Sequence, residues 1–511
     1  MIPILSALQS KEADSFTIKS EGISSVQLMD RAALACTNAF LLHYPAPTPV
    51  LILIGPGNNG GDGLCMARLL ADKNRVVSVC IIGGIEKISA DAKAQYNRLF
   101  EYKSIKWLTT SEVLSLQPTK DTIIIDAIFG SGLTRRLEEP YLSVIKRINS
   151  LNNTIISIDL PSGMLCDPEP GINECGVKAD YTFILQTPKY SCFMPDSAPF
   201  FGEWEIVDFG LNTESLQDIN RFMLTRSSIA SMLPARSRFS HKGSFGHALL
   251  IAGSYGMMGA AVLAAKGCLR GGTGLLTVSV PDFGFNILQS TVPEAILSRR
   301  EDIMKKKIAR EEENTPLNLN KYSAIGIGPG LGSETGLNET VHSIFNSFSG
   351  PVVIDADGLN LLSSERWLLD NMPHRAVLTP HPGEFLRLAQ INNIYKDNRQ
   401  YLVEAQRDFA AQYGIILVLK GHHTTIAMPD GKLYINNTGN SALATAGSGD
   451  VLTGIILSLL AQGCSPEHSA IVGVYIHGMV ADVLTEETDP ASVLAGDLCE
   501  AIGKTYKILR L

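Results

Sequence analysis

The stretch Val50–Ala71 reads VLILIGPGNNGGDGLCMARLLA. A continuous apolar run leads through a glycine-rich turn into a helix, and this order is typical of a buried parallel strand and the helix that follows it. Glycine lets the backbone turn tightly and approach a ligand closely, and the N–H groups that open a helix attract anions such as phosphate. The stretch therefore predicts an α/β domain with an anion-binding turn at Gly55–Gly63.

The alternation of strand-like and helical segments continues on both sides of this turn. Residues 15–43 show helical periodicity. Short β-branched runs predict further strands in the first half at Val76–Ile82, Thr122–Ile125, Thr154–Ile158, Tyr181–Leu185 and Glu205–Val207. Similar runs predict strands in the second half at His247–Ala252, Leu275–Val280, Ala324–Gly328, Val352–Asp355, Ala376–Thr379 and Ile415–Lys420. Since helical stretches separate these runs, each half is predicted to be a doubly wound α/β domain with a parallel sheet.

The length of the chain requires more than one domain. It has 511 residues, whereas a single hydrophobic core stops growing at about 250–300 residues. The segment 212–220 is polar and lies between the two sets of predicted strands. We therefore place the boundary in this segment and predict domains at residues 1–215 and 216–511.

Composition restricts the partners and the compartment. The net charge is −8 and no basic stripe is visible, so nucleic acid is not expected as a partner. The nine cysteines form no CxxC pair, which argues against a disulfide framework or a zinc site and favours a reducing compartment. Residues 248–265 are uncharged and nearly as long as a membrane span, but their central glycines favour a strand, a turn and a helix start. A cytoplasmic protein with no signal peptide and no membrane partner is expected.

Polar side chains follow the predicted strands of the first half. Asn59 lies in the glycine-rich turn, Asp126 ends one strand, and Asp159 and Ser162 follow the next. Because ligands of open α/β sheets bind at the carboxyl ends of strands, these side chains are expected to share a site. The oxygen atoms of Asn59, Asp126 and Ser162 suit a hard cation. Each Asp or Ser alone could instead cap a helix.

The first half resembles the NAD(P)HX epimerase domain over roughly residues 1–210. The shared motifs are LMDRA at Leu28–Ala32, the GPGNNGGDGL loop, AIFGSGL and DLPSG. The resemblance implies a Rossmann-like fold, potassium bound by Asn59, Asp126 and Ser162, and Asp159 as a catalytic acid or base. It also implies that the hydrated nucleotide contacts Asn58, Asn59, Gly60, Gly61, Asp62, Gly130, Ser131, Gly132, Leu133, Thr134, Arg135, Arg136 and Asp159. The segment TPKYSCFM at Thr187–Met194 departs from the family pattern, which leaves the shape of one wall of the site open.

The clearest chemical signal in the second half is ATAGSGDVLTGIILSLLAQG at Ala444–Gly463. A glycine-rich turn opens an apolar helix, where backbone N–H groups can bind phosphate or a developing oxyanion. Asp450 in the first turn could accept a proton from a substrate hydroxyl, as general bases of phosphoryl transfer do, or it could cap the helix. His381 lies between two prolines and is expected to be exposed to a site. The adjacent His422 and His423 would point to opposite faces of a strand and are not predicted to be a metal-binding pair.

The second half resembles the ADP- or ATP-dependent NAD(P)HX dehydratases of the ribokinase-like superfamily over roughly residues 221–511. The shared motifs are HKGSFGHALLIAGSYGMMGAA, GPGLG, DADGLN, TPHPGE and the helix that contains AGSGD. The resemblance implies Asp450 as the catalytic residue, ADP or ATP as co-substrate, and Mg²⁺. It implies that the hydrate contacts Ala260, Gly330, His381 and Asp450. It implies that the adenine nucleotide contacts Lys420, Gly421, His422, His423, Thr424 and Gly449.

Together the two resemblances imply repair of the hydrated cofactors NADHX and NADPHX. The first domain would interconvert their R and S forms, and the second would dehydrate the S form while ADP gives AMP and phosphate. A homo-oligomer is expected. Two alternatives remain, because the second domain could be a kinase of a sugar or vitamin precursor, and the first could be a non-catalytic interaction module. A stable phosphorylated product, rather than free phosphate, would favour the kinase.

Overall fold

The computed structural model describes residues 1–167, 175–214, 216–304, 319–392 and 398–511. These residues form two compact units, Ile2–Ile219 and Asn220–Leu511. Each unit has its own sheet.

The division between the units falls a few residues after the boundary placed at 215/216 from the sequence. Leu216 still packs against the first unit, on an apolar cluster that includes Leu28 and Phe209. The backbone N–H of Asn212 donates to Thr17 Oγ1 at 2.9 Å. These contacts keep the polar segment with the first unit. Ser215 lies outside the described residues.

The strands of the first unit are β1 (Ile2–Pro3), β2 (Val50–Ile54), β3 (Val77–Ile81), β4 (Lys106–Leu108), β5 (Ile123–Ala127), β6 (Ile155–Ile158), β7 (Tyr181–Leu185) and β8 (Glu203–Val207). Its helices are α1 (Ala7–Glu21), α2 (Ser25–His43), α3 (Asn58–Asp72), α4 (Ala90–Leu99), α5 (Thr110–Ser115), α6 (Tyr141–Asn149) and α7 (Ala198–Phe201). The sheet order is β4-β3-β2-β5-β6-β7-β8, and all neighbouring strands are parallel.

Both faces of this sheet are covered, as the alternating side chains of β2 show. Val50, Ile52 and Ile54 belong to a core that also contains side chains of α2 and α3. Leu51 and Leu53 belong to a second core, which contains side chains of α6. The doubly wound fold predicted from the sequence is confirmed in this unit.

The helical periodicity over residues 15–43 is confirmed, but the region is not a single helix. The structure has two helices, α1 and α2, because Gly22 ends the first with a left-handed φ of 66°. Ser24 then caps the second by accepting a hydrogen bond from the N–H of Gln27. The apolar pattern of α2 is strong, but it does not reveal the break before it.

Asp30, the acidic residue of LMDRA, ties three helices of the first unit together. Its carboxylate on α2 accepts hydrogen bonds from Gln95 Nε2 at 2.8 Å, Arg98 Nη1 at 2.9 Å and Cys65 Sγ at 3.3 Å. Although burial raises the pKa of Asp30, these hydrogen bonds lower it below the usual value. This part of the motif therefore serves the packing of α2, α3 and α4.

The strands of the second unit are β9 (Arg221–Met223), β10 (His247–Ile251), β11 (Leu275–Val280), β12 (Ile296–Arg299), β13 (Ala324–Ile327), β14 (Val352–Ile354), β15 (Val377–Leu378), β16 (Ile416–Leu419), β17 (Thr425–Ala427) and β18 (Leu433–Ile435). Their order is β9-β18-β17-β16-β15-β14-β13-β10-β11-β12. The strands from β16 to β12 in this order pair in parallel, whereas β17 is antiparallel to both of its neighbours.

The helices of the second unit are α8 (Arg226–Met232), α9 (Met258–Arg270), α10 (Phe285–Thr291), α11 (Arg300–Met304), α12 (Leu337–Ser347), α13 (Asp357–Ser364), α14 (Arg366–Asp370), α15 (Pro382–Ala389), α16 (Arg399–Tyr413), α17 (Ser448–Ala461), α18 (Pro466–Thr485) and α19 (Ala495–Leu509). The buried helix α17 packs against α9, α18, β13 and β14. Its position fixes the glycine-rich turn at its start against the sheet.

The uncharged stretch 248–265 forms most of β10, a turn and the first half of α9, as the sequence predicts. In the described part of the chain, α18 is the one helix whose length and composition would allow it to span a membrane. Most of α18 is buried inside the second unit.

All nine cysteines are free, and seven of them are buried. Burial raises the pKa of the Cys65 and Cys192 thiols to about 12 and that of Cys80 and Cys499 to about 11. The two partly exposed cysteines are Cys175 and Cys464.

The glycines of Gly55–Gly63 provide close contacts within the protein. A Cβ atom at Gly55 would lie 1.7 Å from the carbonyl oxygen of Ile128, and one at Gly60 would lie 2.2 Å from the carbonyl oxygen of Gly55. No glycine of this fully described turn has a positive φ. The sequence correctly predicts close backbone approach, but at these two positions the approach is to the protein's own backbone.

Gly63→Ala should destabilise the first unit by about 1–3 kcal/mol, as overpacking of a dense core typically does. The new methyl group would lie 2.5 Å from Ala127 Cβ and 2.8 Å from Ile54 Cδ1. Gly503→Ala in α19 is the control, because no atom lies within 4 Å of its Cβ position. That change should stabilise its helix by about 0.5–1 kcal/mol. Urea unfolding followed by circular dichroism measures both effects, and wild-type stability of Gly63→Ala would contradict the packing argument.

Candidate active sites

Asp126 and Ser162 form the buried base of the first site. Asp126 in β5 accepts hydrogen bonds from Ser162 Oγ at 2.5 Å, Ser162 N at 2.8 Å, Ser157 Oγ at 2.8 Å and Ile128 N at 3.2 Å. Ser162 Oγ also accepts a hydrogen bond from Phe129 N at 2.8 Å. Burial raises the pKa of Asp126, and these hydrogen bonds oppose the shift. The network joins the loops after β5 and β6.

Asn59, in the first turn of α3, lies close to the loop after β5. A Cβ atom at Gly130 would lie 3.2 Å from Asn59 Cγ and 2.6 Å from Asp159 Oδ2. Both polar atoms of the Asn59 side chain are buried and have no hydrogen-bond partner. A buried amide without partners is costly, so these atoms are suited to bind a ligand or an ion.

Asp159 lies directly after β6, with a left-handed φ of 66° that is uncommon outside glycine. Its Oδ2 accepts a hydrogen bond from the N–H of Ser131 at 2.7 Å. Its Oδ1 lies 3.8 Å from Lys189 Nζ, and both side chains are almost completely buried. Lys189 Nζ also donates to the carbonyl oxygen of Thr187 at 2.9 Å. The segment that departs from the family pattern therefore places a positive charge beside the predicted catalytic carboxylate.

Two further carboxyl groups are electrostatically coupled to Asp159. Burial, with the negative charge of Asp159, raises the pKa of Asp14 in α1 to about 6, while Lys189 opposes the shift. Burial, with the charges of Asp159 and Asp14, raises the pKa of Asp62 well above its usual value. These acids retain a proton at pH values where an exposed carboxyl group has lost it. Asp14 has no sequence signal, because α1 precedes every motif.

The other residues predicted at the first site differ in their exposure. Gly60, Gly61 and Leu133 are buried, and Ser131 is half-buried. Exposed positions occur at Asn58, Gly132, Thr134, Arg135 and Arg136. The Asn58 side chain accepts a hydrogen bond from Ser89 Oγ at 2.9 Å. Both arginine side chains are therefore accessible to solvent.

A buried ion pair occupies the centre of the second site. Lys420, after β16, donates to Asp355 Oδ1 at 2.9 Å and lies 3.9 Å from Glu384 Oε2. The other oxygen of Asp355 accepts a hydrogen bond from Thr453 Oγ1 at 2.7 Å. Although burial lowers the pKa of Lys420, the two carboxylates raise it, so Lys420 remains a cation. A Cβ atom at Gly449 would lie 3.4 Å from Lys420 Nζ, which places the start of α17 against this pair.

Asp450 is the third residue of α17 and does not cap it. The capping position is Gly447, with a φ of 90°, and no side chain caps the helix there. Burial raises the pKa of Asp450 to about 7, with help from the Asp355 carboxylate and against the effect of Lys420. The helix-cap alternative is therefore wrong, and the carboxyl group can exchange a proton near neutral pH.

His381 caps α15 and remains half-exposed. Its ring atom Nδ1 accepts a hydrogen bond from the backbone N–H of Gly383 at 3.0 Å. The backbone N–H of His381 donates to Glu384 Oε2 at 2.8 Å. Burial lowers the pKa of His381 although Glu384 opposes the shift. The ring is therefore neutral near pH 7, and its Nε2 lies 3.5 Å from Glu384 Oε1.

The turn from Lys420 to Thr424 lies between β16 and β17. Thr424 Oγ1 accepts a hydrogen bond from Gly421 N at 3.3 Å and donates to Gly421 O at 3.1 Å. The rings of His422 and His423 lie edge to face at 4.5 Å, and burial lowers the pKa of His423 to about 4. Within the described ranges, no three His, Cys, Asp or Glu side chains are grouped to hold a metal ion.

Ala260 and Gly330 lie next to each other in the second unit. Gly330, with a φ of 57°, follows β13, and Ala260 lies in the first turn of α9. A Cβ atom at Gly330 would lie 2.5 Å from the carbonyl oxygen of Met257 and 3.0 Å from Ala260 Cβ. The two predicted hydrate contacts are therefore adjacent.

Lys189, Asp355, Glu384 and Thr453 are site residues that were not predicted from the sequence. Asp355 directly follows the apolar run of β14, and this position was a visible signal. Glu384 lies in the TPHPGE motif, and Lys189 comes four residues after the end of β7. Thr453 lies inside an apolar helix and carries no such signal.

Comparison with known proteins explains why both motif sets occur in one chain. A family model described as NAD(P)H-hydrate dehydratase matches residues 248–504, and one described as YjeF-related protein N-terminus matches residues 25–191. The bifunctional NAD(P)H-hydrate repair enzyme of Moorella thermoacetica is 32% identical over 508 residues, which cover 97% of this chain and 95% of the relative. The chain belongs to the bifunctional NAD(P)H-hydrate repair enzyme family.

A second member of the repair enzyme family, from Coxiella burnetii, is 34% identical over 494 residues and is covered to 96%, as is this chain. The crystal structure of an ADP/ATP-dependent NAD(P)H-hydrate dehydratase from Bacillus subtilis is 34% identical with a TM-score of 0.49. The matched region covers 57% of this chain and 100% of the Bacillus subtilis chain. Both predicted catalytic residues of this family member, Asp159 and Asp450, lie within the ranges matched by the two family models.

Asp450→Asn should make the stability of the second unit less dependent on pH. The pKa of Asp450 is about 7 in the folded chain against 3.8 for the free group, so the folded state binds this proton more tightly. Wild type therefore loses stability as pH rises between these values, because folding then requires a buried, ionised carboxylate. The advantage of the variant should grow from about pH 4 to about pH 7 in urea unfolding. A constant difference over that range would show that Asp450 does not titrate as described.

Proposed function

We propose that this protein repairs NADH and NADPH damaged by the addition of water to the nicotinamide ring. The first unit would interconvert the R and S forms of NAD(P)HX, and the second would dehydrate the S form with ADP as co-substrate. The observation that carries the proposal is a carboxyl group with a pKa of about 7, that of Asp450, at a glycine-rich helix start beside the Lys420 cation. A base and a cation in this arrangement are suited to phosphoryl transfer.

The reaction at the second site follows from the chemistry of the leaving group. Hydroxide leaves poorly, whereas phosphate leaves readily. The ring hydroxyl attacks the β-phosphorus of ADP, the bond from that phosphorus to the bridging oxygen breaks, and AMP is released. The ring nitrogen then expels phosphate, and loss of a proton from the neighbouring carbon restores the double bond. The hydrate and ADP thus give NAD(P)H, AMP and phosphate.

Each part of the second site supports one step of this reaction. Asp450 would take the proton of the ring hydroxyl, for which a pKa near the working pH is favourable. The backbone N–H groups of Gly447–Gly449 and the ammonium group of Lys420 would stabilise charge on the transferred phosphoryl group. Ala260, Gly330 and His381 would hold the hydrate. The nucleotide would contact Lys420, Gly421, His422, His423, Thr424 and Gly449.

Asp159 is the proposed acid or base of the first site. Its carboxylate is held by the N–H of Ser131, and Lys189 Nζ lies 3.8 Å away. The Asp159 carboxylate and the Lys189 ammonium group could together hold and move a proton beside a bound nicotinamide ring. The surrounding substrate contacts would be Asn58, Asn59, Gly60, Gly61, Asp62, Gly130, Ser131, Gly132, Leu133, Thr134, Arg135 and Arg136.

The first site fits a potassium ion. The buried, unpartnered Asn59 Oδ1 is an oxygen that requires a partner. Both oxygens of Asp126 already accept hydrogen bonds from the protein, so a cation would share this carboxylate with those donors. Ser162 Oγ lies against that carboxylate at 2.5 Å. A cation held by Asn59, Asp126 and Ser162 would supply positive charge and hold three loops together.

The second site offers no ready protein cage for magnesium. Both oxygens of Asp355 are hydrogen-bonded, to Lys420 and Thr453. Both oxygens of Asp357 are likewise engaged, by Gly332 N and Asn360 Nδ2. Magnesium would therefore enter with the nucleotide phosphates, as is usual for this ion.

The direct test is to incubate the wild-type protein with mixed NADHX epimers and ADP and to follow absorbance at the NADH band. Complete conversion in one phase, with one phosphate and one AMP per NADH, is expected. A stable phosphorylated product without NADH would favour a kinase instead.

Asp450→Asn should reduce ADP-dependent NADH formation by about 100-fold or more, because it removes the general base but keeps the size of the side chain. Epimer exchange, followed by chromatography of the hydrates, should continue at the wild-type rate. Asp497→Asn, which changes a carboxylate in the first turn of α19, is the control and should leave both activities intact. Near-normal NADH formation by Asp450→Asn would remove its assigned role.

Asp159→Ala should split the progress curve with mixed epimers and ADP into two phases. The second unit would consume its preferred epimer quickly, and the other would follow only at its spontaneous interconversion rate. Asp72→Ala, at the exposed end of α3, should keep the single phase.

Withdrawal of potassium from wild type should produce the same two phases, because Asn59, Asp126 and Ser162 would lose the ion that holds their loops. A single fast phase in Asp159→Ala, running to completion, would show that Asp159 is not required. That result would favour the interaction-module alternative for the first unit.

A further inference from the structure

Two arginines of the second unit lie beneath the loops that form the proposed dehydratase site. Arg300 is 1% exposed and Arg399 is 9% exposed. Burial of a guanidinium group is unfavourable unless its N–H groups are hydrogen-bonded, so such a group holds its acceptors firmly in place. The two side chains hold different loops.

Arg300 joins the loop after β10 to the loop after β13. Its Nη2 donates to the carbonyl oxygen of Ala252 at 2.8 Å and to that of Gly253. Its Nη1 donates to the carbonyl oxygen of Leu331 at 3.4 Å and to Glu334 Oε2 at 3.3 Å. One planar group therefore joins two segments beyond the ends of the paired strands β10 and β13, where the hydrogen bond from Gly253 N to Pro329 O at 2.8 Å also links them.

The segments joined by Arg300 lead to Ala260 and Gly330, the two adjacent residues that are proposed to contact the hydrate. The first leads from Gly253 into Ala260, and the second contains Gly330. These two residues are closely packed, since a Cβ atom at Gly330 would lie 3.0 Å from Ala260 Cβ. A small separation of the loops would change the surface offered to the hydrated ring.

Arg399 holds the turn on the opposite side of the site. Its guanidinium group donates to the carbonyl oxygens of Leu419 and His423, both at 3.1 Å, and of Lys420 at 3.4 Å. A Cβ atom at Gly421 would lie 3.2 Å from this group. Because these carbonyl oxygens converge on Arg399, the course of the backbone through Lys420–Thr424 is fixed by it.

We propose that Arg300 and Arg399 are positioning residues for different substrates of the dehydratase. Arg300 positions the hydrated nicotinamide ring through the loops of Ala260 and Gly330. Arg399 positions the adenine nucleotide through the turn Lys420–Thr424. Neither arginine is assigned a contact with a reacting atom. The assignment of substrates rests on the function proposed above for the second unit.

The test is a crossed pair of conservative variants in the full-length protein, Arg300→Lys and Arg399→Lys. Lysine keeps the charge but cannot reproduce the planar fork that binds several carbonyl groups at once. Arg300→Lys should raise KM for the S hydrate by about tenfold and leave KM for ADP within about twofold. Arg399→Lys should do the reverse. A general loss of stability would instead lower kcat or the active fraction in both variants. It would not raise KM for one substrate in one variant and for the other substrate in the other.

Glu334→Gln is the matched control. It removes the charge of the exposed partner of Arg300 but leaves the backbone acceptors in place, so both KM values should remain those of wild type. If a lysine variant is insoluble, Arg300→Gln or Arg399→Gln replaces it, since the amide keeps two N–H donors. Equal changes in both KM values, or unchanged KM values in both arginine variants, would overturn the proposal.

Amide hydrogen exchange tests the same geometry without any activity. Arg300→Lys should accelerate exchange in residues 253–260 and 328–332 and leave residues 420–425 at the wild-type rate, with the opposite pattern in Arg399→Lys. If these patterns appear but wild type forms no NADH, the proposed function fails and the loop-holding role remains. If wild type is active and the patterns are absent, the positioning proposal fails alone.

Discussion

The central strands of both sheets are buried along their whole length, from Val50–Ile54 in the first unit to Val352–Ile354 in the second. A side chain within such a strand has no contact with water, so ionisable groups are tolerated mainly where the strands end. Parallel strands bring their carboxyl ends to the same edge of a sheet. Asp159 and Asp355 follow β6 and β14 at this edge, and the helices α3 and α17 begin there. Both sites depend on this arrangement.

The acids at these edges are of two kinds. Both oxygens of Asp126 and of Asp355 accept hydrogen bonds from the protein, and each residue holds neighbouring segments in place. Asp62 and Asp450 lie among other carboxylates, and burial raises their pKa values. The first kind maintains the geometry, because a buried and fully bonded carboxylate is rigid. The second kind can gain or lose a proton when a substrate arrives.

Much of this organisation could be predicted from the sequence because parallel strands are encoded locally. Apolar runs followed by glycine identified β2, β10 and β13 and the carboxyl-edge positions after them. Short strands with mixed composition, such as β4 and β12, gave no comparable pattern and were missed. The order of strands in each sheet, and the partners of Lys189 and Asp14, depend on contacts between residues far apart in the chain. No local spacing encodes such contacts, so the sequence identified the catalytic candidates but not their electrostatic environment.

The burial of the thiols has a consequence for chemical durability. Oxidants and alkylating agents react with thiolate, and a thiol whose pKa lies several units above neutrality supplies almost none of it. Cys65, Cys80, Cys192 and Cys499 are in this state, with pKa values of about 11 or 12. Peroxide would meet Cys175 and Cys464 before it reached either core. The fold thereby protects its interior sulfur atoms from oxidation without disulfides.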